Sequence, residues 1–285
     1  MYRAQRFTDS LAHALTRSTA HRAPTTMPIL KIGIQTCSLR QPLRQALRTA
    51  ARLGAAGVEI DARTELPPSE MSRTGMREFR KLLGNLNLRV SAVAFPTRRG
   101  YDVPDDLERR VFATQAAMQF ATELGADVVI NRIGQIPENA DDPRFTTLVE
   151  ALTALGAYGE RVGARLAAQT AGESPQQLAR LIAALPEQTI GIDFHPGQLI
   201  LAGHAPQEAL DALGPHVLHV HASDAVREPG GRARQVELGR GTAELPELLG
   251  RLTEYDYRGW VTIESRDSPD PVTEIENAVA YLRAL

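Results

Sequence analysis

The chain is poor in cysteine and in net charge, and it has no long apolar run. Cys37 is the single cysteine among 285 residues, which excludes an internal disulfide framework and is typical of a reducing, cytoplasmic location. The formal net charge of −2 at pH 7 provides no strong field to attract nucleic acid or an anionic membrane. No apolar stretch approaches the length of a membrane span. We therefore expect a small-molecule partner and no nucleic-acid or membrane partner, and we leave a homo-oligomer open.

The remaining composition is ordinary for a globular protein. Hydrophobic residues make up 43% and charged residues 23%, and 285 residues are enough for one large core. Residues 1–26 differ, because four arginines stand there against a single acid, Asp9. This segment resembles a transit peptide in composition but lacks the apolar centre of a secretory signal. We expect residues 1–26 to be a disordered basic extension with one short helix near residues 9–15, and residues 27–285 to form one domain.

From Leu30 onward, short segments rich in Val and Ile alternate with longer amphipathic segments. The predicted strands are residues 31–36, 57–61, 90–95, 127–131, 165–169, 190–195, 217–221 and 260–264. The predicted helices are residues 43–53, 73–86, 107–124, 145–162, 175–185, 206–213, 246–255 and 271–282. Gly54, Gly125, Gly163 and Gly214 follow four of these helices as expected C-caps. Eight strand–helix units predict a single closed (β/α)8 barrel. A doubly wound sheet is the alternative, although no Gly-x-Gly-x-x-Gly follows any strand.

Polar side chains stand at the ends of most predicted strands. In a (β/α)8 barrel these ends meet at one mouth, where the chemistry gathers. The polar ends are Glu59 and Asp61, Asn131 and Arg132, Gln169, Asp193 and His195, His219 and His221, and Glu264 and Arg266. Alternation along a strand places His219 and His221 on the same face, an arrangement that suits a metal or sugar site. The alternative is a buried histidine pair bonded to backbone groups.

Several stretches carry a family resemblance that covers the whole predicted barrel. They are Gly57-Val58-Glu59, Asn131-Arg132-Ile133-Gly134, residues 166–170, Gly172-Glu173-Ser174, residues 191–199, residues 219–225, Leu238-Gly239-Arg240-Gly241 and residues 259–264. In these stretches the chain resembles the sugar phosphate isomerase/epimerase family with a xylose isomerase-like TIM barrel. That family includes tagatose 3-epimerase-type enzymes, inosose dehydratases and, more distantly, endonuclease IV. The resemblance implies a carbohydrate substrate and places a TIM barrel over residues 27–285.

The resemblance also implies a ligand set for one divalent cation. The family usually supplies Glu, Asp, His and Glu from strands five to eight, and the matching positions here hold Gln169, His195, His221 and Glu264. Two positions match and two depart, so three carboxylates and one imidazole become one carboxylate, two imidazoles and one amide. Such a set favours Mn²⁺, Zn²⁺, Fe²⁺ or Co²⁺ over Mg²⁺. Asp193 lies on the same strand face as His195. It is expected either to coordinate the ion or to orient the ring of His195.

The departures also change the expected chemistry. Gln169 cannot accept a proton, so Glu264 is the single acid/base at these positions. This favours a one-base isomerisation or elimination on a sugar, keto-sugar or cyclitol over a two-base epimerisation. The expected substrate-binding residues are Arg227, Gln198, Asn131, Glu173 and Asp193. The alternative is a degenerate, non-catalytic carbohydrate-binding barrel that has lost its ion. Endonuclease chemistry would need more metal ligands and a basic face.

Overall fold

The computed structural model describes residues 30–170, 172–228 and 230–285, so the prediction for residues 1–26 lies outside the described residues. Within them, eight parallel strands close into a barrel in the order β1-β10-β7-β6-β5-β4-β3-β2. The barrel strands are β1 (Lys31–Gln35), β2 (Gly57–Asp61), β3 (Arg89–Ala94), β4 (Val128–Asn131), β5 (Arg165–Gln169), β6 (Ile190–Phe194), β7 (Val217–Ala222) and β10 (Trp260–Ile263). The predicted (β/α)8 barrel is therefore confirmed.

The helices form the outer layer around the strands. They are α1 (Leu43–Leu53), α2 (Arg73–Asn85), α3 (Leu107–Leu124), α4 (Pro143–Val162), α5 (Pro175–Ala184), α6 (Pro196–Ala202), α7 (Pro206–Leu213), α8 (Leu245–Glu254) and α9 (Pro271–Arg283). None of the helices in the described part of the chain is long and apolar enough to cross a membrane.

The predicted element boundaries agree closely with the structure, with three differences. Gly54, Gly125 and Gly163 take the left-handed conformation at helix C-caps, as predicted. Gly214 does not, since φ is −50° and the residue opens a 3₁₀ turn, Gly214–His216. Helix α6 was not predicted, nor was the antiparallel hairpin of β8 (Asp224–Arg227) and β9 (Ala233–Val236). Both segments are too short for a periodic apolar pattern to identify them.

Strand alternation separates an apolar outer layer from a partly polar barrel interior. On β7, for example, Val220 and Ala222 join the main apolar core that the helices cover, whereas His219 and His221 lie outside that apolar cluster. On the β3–β5 side a small apolar cluster of Ala92, Val128, Ile130 and Ala167 packs separately from the main core. The polar half comes from β1, β2, β6, β7 and β10, and it positions the candidate site.

Two irregularities in strand register occur directly before carboxylates. Between β2 and β3 the register shifts after Val58, so Glu59 pairs with Ala92. Between β6 and β7 it shifts after Ile192, so Asp193 pairs with His219. Bulges of this kind re-aim side chains and are common next to functional sites.

Asp224 fixes the β8–β9 hairpin to the barrel. One carboxylate oxygen accepts hydrogen bonds from the backbone N–H groups of Gly239 (3.1 Å) and Gly241 (2.8 Å). The other accepts from those of Ala225 (2.9 Å) and Ala243 (3.0 Å). This buried carboxylate therefore ties the loop after β9 to the start of β8.

Candidate active site

A group of four buried residues, here called the floor cluster, consists of Glu59, Asp193, His219 and His221. Asp193 is its centre. Its Oδ1 lies 2.8 Å from Nδ1 of His219, and its Oδ2 lies 2.8 Å from Nδ1 of His221. A carboxylate can only accept, so both Nδ1 atoms carry protons and donate to Asp193. Both Nε2 atoms are then free to act as acceptors or as metal ligands in the neutral rings.

Glu59 faces this histidine pair from β2. Its Oε1 accepts a hydrogen bond from Nε2 of Gln35 at 2.8 Å, which fixes the carboxylate plane. Its Oε2 lies 2.9 Å from Nε2 of His221 and 4.0 Å from Nε2 of His219. The contact with His221 is off the axis of a hydrogen bond, so among the described residues both Glu59 Oε2 and His221 Nε2 lack a partner. Buried polar atoms without partners are rare and point to an ion or a proton at that place.

The second nitrogen of His219 has a partner deeper in the barrel. Its Nε2 lies 2.8 Å from Oγ1 of Thr262, which in turn is 3.3 Å from Oγ of Ser91. Since Nδ1 already donates to Asp193, the threonine hydroxyl donates to Nε2. Gly33 makes room for this layer, because a Cβ there would stand 2.7 Å from the Thr262 hydroxyl.

A second group, the rim cluster, adjoins the floor cluster and consists of His195, Ser223, Glu264 and Arg266. The rings of His195 and His221 stack with their centroids 5.0 Å apart. His195 follows β6 directly and caps α6, since its Nδ1 accepts a hydrogen bond from the backbone N–H of Gln198 at 3.3 Å. The same Nδ1 is 2.8 Å from Oγ of Ser223, and Nε2 is 2.8 Å from Oε1 of Glu264. Both ring nitrogens of His195 therefore have protein partners.

Arg266 supplies the rim cluster with a positive charge. Its Nε donates to Oε1 of Glu264 at 2.8 Å, and a terminal nitrogen lies 3.3 Å from Oε2. The guanidinium group is partly exposed, whereas the carboxylate is buried. Glu264 is thus held between the imidazole of His195 and the guanidinium of Arg266.

The charges of the two clusters shift several pKa values. Burial disfavours the ionised form of Asp193, but His221 and His219 hold its pKa far below its usual range. Burial likewise opposes the imidazolium form of His221, but Asp193 and Glu59 raise its pKa well above 6.5. His195, His221 and Arg266 outweigh the burial of Glu264 and hold its pKa well below 4.5. Asp193 and Glu264 are therefore ionised near neutral pH.

A cavity of about 670 Å³ opens beside these clusters at the ends of β4 and β5. Its lining includes Asp102, Arg132, Arg144, Gln169 and Glu173. Gln169 connects the cavity to the floor cluster, because its Nε2 lies 3.3 Å from Oδ2 of Asp193. Burial raises the pKa of Glu173 above 4.5, and the neighbouring Arg132 limits the rise. The cavity thus offers positive groups, an amide and a carboxyl that keeps its proton to a higher pH than an exposed glutamate.

The comparisons with known proteins identify the family. A family model described as a xylose isomerase-like TIM barrel matches residues 47–285. The chain belongs to this family. An inosose dehydratase of Bacillus thuringiensis is 22% identical in an alignment of 232 residues that covers 70% of this chain and 77% of that protein. A xylose isomerase domain protein from Planctomyces limnophilus superimposes with a TM-score of 0.77 at 25% identity, covering 89% of this chain and 95% of that one.

One further relative is an uncharacterised protein of Methanocaldococcus jannaschii. It is 29% identical in an alignment of 178 residues that covers 58% of this chain. The match spans 60% of that relative's own length.

The predicted metal ligands of this xylose isomerase-like barrel do not present an open set of donor atoms. Gln169 donates to Asp193, and its Oε1 lies 3.4 Å from Nε of Arg132. Both nitrogens of His195 and both oxygens of Glu264 are bonded to protein groups. His221 alone of the four keeps a ligand atom without a partner in the described chain. As arranged, these four positions do not fit a bound ion, and we derive no catalytic step through one there.

The predicted substrate-binding residues of the barrel separate into two groups. Glu173 lines the cavity, and Gln198 lies half-buried on α6. Arg227 is exposed on β8, where a terminal nitrogen lies 3.4 Å from the carbonyl oxygen of Leu201. Asn131 and Asp193 are placed differently from the prediction, because both are buried and bonded to protein.

The partners of those two side chains give the physical reason. Asn131 donates to the hydroxyl of Tyr101 at 2.8 Å and accepts from the backbone N–H of Thr97 at 3.2 Å. Asp193 orients His219 and His221; it does not contact His195 in the way expected from their shared strand face. Both side chains therefore shape the site from behind.

Sequence reasoning missed the importance of Glu59, Gln35 and Ser223. Glu59 was visible as a polar strand end, but the family pattern gave it no ligand role. Its closeness to His221 arises because the barrel closes strand two against strand seven across the interior, which no local pattern reports. The alternation of His219 and His221 was the signal that pointed to this face.

Proposed function

We propose that this protein is an isomerase, epimerase or lyase that acts on a sugar, a keto-sugar or a cyclitol by proton transfer next to a carbonyl group. The observation that carries the proposal is the meeting of ionised carboxylates, imidazoles and a cavity of about 670 Å³ at the carboxyl end of one barrel. Polar groups of this kind are costly to desolvate unless they serve a ligand. The relationship to an inosose dehydratase supports a polyhydroxylated substrate.

Glu264 is the proposed proton acceptor. His195 and Arg266 keep it ionised, so it can take a proton from carbon without first losing one to water. Those partners also weaken it as a base, which means that a substrate oxygen must displace part of the Arg266 contact for the carboxylate to act. Because Arg266 is partly exposed at the rim, it can move without opening the barrel.

Glu173 and Arg132 are the proposed partners of the substrate oxygen atoms. A raised pKa lets Glu173 donate a hydrogen bond, or a proton to a leaving hydroxyl group, while Glu264 is ionised. Two carboxyl groups whose surroundings move their pKa values in opposite directions form the usual basis for separate acid and base roles. Gln169, which lines the cavity with Glu173, orients the substrate and exchanges no proton.

The test is exchange of deuterium from heavy water into the carbon next to the carbonyl, measured by NMR over a panel of ketoses, inososes and keto-glycosides. We expect exchange with at least one member, and we expect Glu264→Gln to abolish it. Gln169→Glu is the matched gain-of-carboxylate variant, and it is expected to add exchange on the opposite face. If Glu264→Gln exchanges as fast as the unmodified protein, another group is the base.

The second candidate function is a carbohydrate-binding barrel without turnover. It is favoured by the full set of protein partners around His195 and Glu264, which is typical of a satisfied structural network. Binding of panel sugars without any deuterium exchange would support this alternative. Localisation in the cytoplasm is part of the proposal in either case, on the strength of the single cysteine.

A further inference from the structure

The floor cluster contains two buried carboxylates and no basic side chain other than histidine. Glu59, Asp193, His219 and His221 are each at most 1% exposed. Within the described residues no Lys or Arg forms an ion pair with either carboxylate, in contrast to the Glu264–Arg266 pair at the rim. Buried carboxylates normally have a cation beside them.

We propose that Glu59, His219 and His221 form a binding site for one divalent transition-metal ion at the floor of the barrel. The site is distinct from the set Gln169, His195, His221 and Glu264, with which it shares His221 alone. It goes beyond the proposed function, because it concerns where an ion is held and not which reaction follows.

The donor atoms have the spacing that a metal ion requires. Oε2 of Glu59 lies 2.9 Å from Nε2 of His221 and 4.0 Å from Nε2 of His219. All three side chains offer ligand atoms within 4.8 Å of one another, and they are the one such group found among the described residues. Two ligands at about 2.1 Å from a tetrahedral ion stand about 3.4 Å apart, and the observed distances bracket that value.

The surrounding hydrogen bonds fix the orientation of the three ligand side chains. Asp193 accepts from Nδ1 of both histidines, which leaves each Nε2 with a lone pair for an ion. Gln35 donates to Oε1 of Glu59 and leaves Oε2 unpartnered. Carboxylates and amides that orient metal ligands in this way are a regular part of protein metal sites.

One donor has a competing contact that can be exchanged. Nε2 of His219 accepts from the hydroxyl of Thr262, which already has Ser91 within 3.3 Å as an alternative partner. An ion on this nitrogen requires the Thr262 side chain to turn so that Oγ1 leaves Nε2 and keeps Ser91 as its partner. The cost of binding is therefore the loss of the hydrogen bond between Thr262 and His219.

Ligand type indicates the class of ion. Two imidazoles and one carboxylate suit Zn²⁺, Fe²⁺, Co²⁺ or Mn²⁺ better than Mg²⁺ or Ca²⁺, which prefer oxygen ligands. The charges of Glu59 and Asp193 together balance a divalent ion. Histidine binds a metal through a deprotonated ring nitrogen, and the bond from Nδ1 to Asp193 leaves Nε2 as that nitrogen.

The test uses chelator-stripped, full-length protein dialysed against Zn²⁺, followed by elemental analysis and a competition titration. We expect about one Zn²⁺ per chain. Glu59→Gln and His219→Asn each remove a ligand and are expected to weaken binding at least 100-fold, and Gln35→Ala about tenfold through its effect on Glu59. The matched control Glu264→Gln removes a family-position carboxylate outside the floor cluster and is expected to bind Zn²⁺ as tightly as the unmodified protein.

Three results would overturn the proposal. The first is the absence of bound Zn²⁺ in the unmodified protein, which would mean that a proton on His221 neutralises the floor cluster. The second is loss of binding in Glu264→Gln with binding kept in Glu59→Gln. The third is unchanged affinity in Glu59→Gln and His219→Asn. Deuterium exchange is not a readout here, so a failed metal site and a failed enzymatic proposal remain distinguishable.

Variants of buried residues can fail to fold, so a second measurement uses the unmodified chain. In ¹⁵N-histidine-labelled protein, Zn²⁺ is expected to shift the Nε2 resonances of His219 and His221 by tens of ppm and to leave both nitrogens of His195 unchanged. A shift at His195 with no shift at His219 would contradict the assignment without any substitution.

Discussion

The floor cluster and the rim cluster use similar residues in the same barrel but satisfy them in different ways. At the rim, Glu264 has His195 and Arg266 as partners, and His195 has a partner on each nitrogen. At the floor, Asp193 serves both histidines, while Glu59 Oε2 and His221 Nε2 remain unpartnered among the described residues. A residue can therefore match a family ligand position and still have all of its donor atoms bonded to protein groups. The unpartnered donor atoms belong to Glu59, which is outside the family set, and to His221, which is the one member the two sets share.

The largest expected loss of stability comes from a substitution at the centre of the floor cluster. The carboxylate of Asp193 has two acceptor oxygens, one for each histidine N–H, whereas the amide of Asn has one. Asp193→Asn therefore places an amide N–H against one of the two imidazole N–H donors. We expect a loss of about 3 to 5 kcal/mol in the free energy of unfolding, measured by urea denaturation. A loss no greater than that of Glu264→Gln would contradict the central position given to Asp193.

The next effect concerns the carboxylate of the rim. Glu264→Gln keeps the shape but replaces charge-assisted hydrogen bonds from His195 and Arg266 by neutral ones. We expect a loss of about 1.5 to 3 kcal/mol in the free energy of unfolding together with the loss of deuterium exchange. If the variant unfolds at the same urea concentration as the unmodified protein, the rim contacts contribute nothing to stability.

A smaller loss of stability is expected at one of two serines near the rim, the one whose hydroxyl has hydrogen-bond partners. Ser223 bonds to His195 at 2.8 Å and accepts from the backbone N–H of Gly197 at 3.1 Å, so Ser223→Ala is expected to cost about 1 to 2 kcal/mol. Ser265 is the matched control, because its buried hydroxyl has no partner in the described structure. We expect Ser265→Ala to leave the melting temperature unchanged or to raise it. Equal losses in both variants would refute the distinction.

The smallest effect lies outside both clusters, at the cavity carboxyl group of Glu173. Burial raises its folded-state pKa, so the unmodified protein loses stability as the pH rises from the unfolded value of 4.5 through the folded value. Glu173→Gln removes this penalty. We expect equal melting temperatures below pH 4 and a gain of at most about 0.5 kcal/mol for the variant at pH 7. A difference that is largest at low pH would have the wrong sign.

The fold could be predicted from the sequence because its signal is local and repeated. Residues 57–61 and 165–169, for example, read as strands from their apolar composition, and Gly54 marks the end of the helix before the first of them. The candidate site could be predicted in part, since His219 and His221 share a strand face. The link between Glu59 and His221 depends on barrel closure, and the roles of Asp193 depend on a register shift at Ile192 that no local pattern contains.

The contact between Ser223 and His195 could not be predicted from the sequence for a different reason. Ser223 looked like a loop residue after the seventh strand, and His195 looked like the end of the sixth. The structure makes His195 the N-cap of α6, which turns its Nδ1 toward Ser223. A seven-residue helix that starts at a proline gives too short a pattern to show this turn in advance.

The location of a bound ion tests most directly whether the floor cluster or the rim cluster holds it. A crystal of the unmodified protein soaked in Zn²⁺ and measured at the zinc absorption edge gives an anomalous difference map that locates the ion independently of any variant. We expect an anomalous peak between Oε2 of Glu59 and the Nε2 atoms of His219 and His221. A peak between His195 and Glu264 with the floor cluster empty would contradict it.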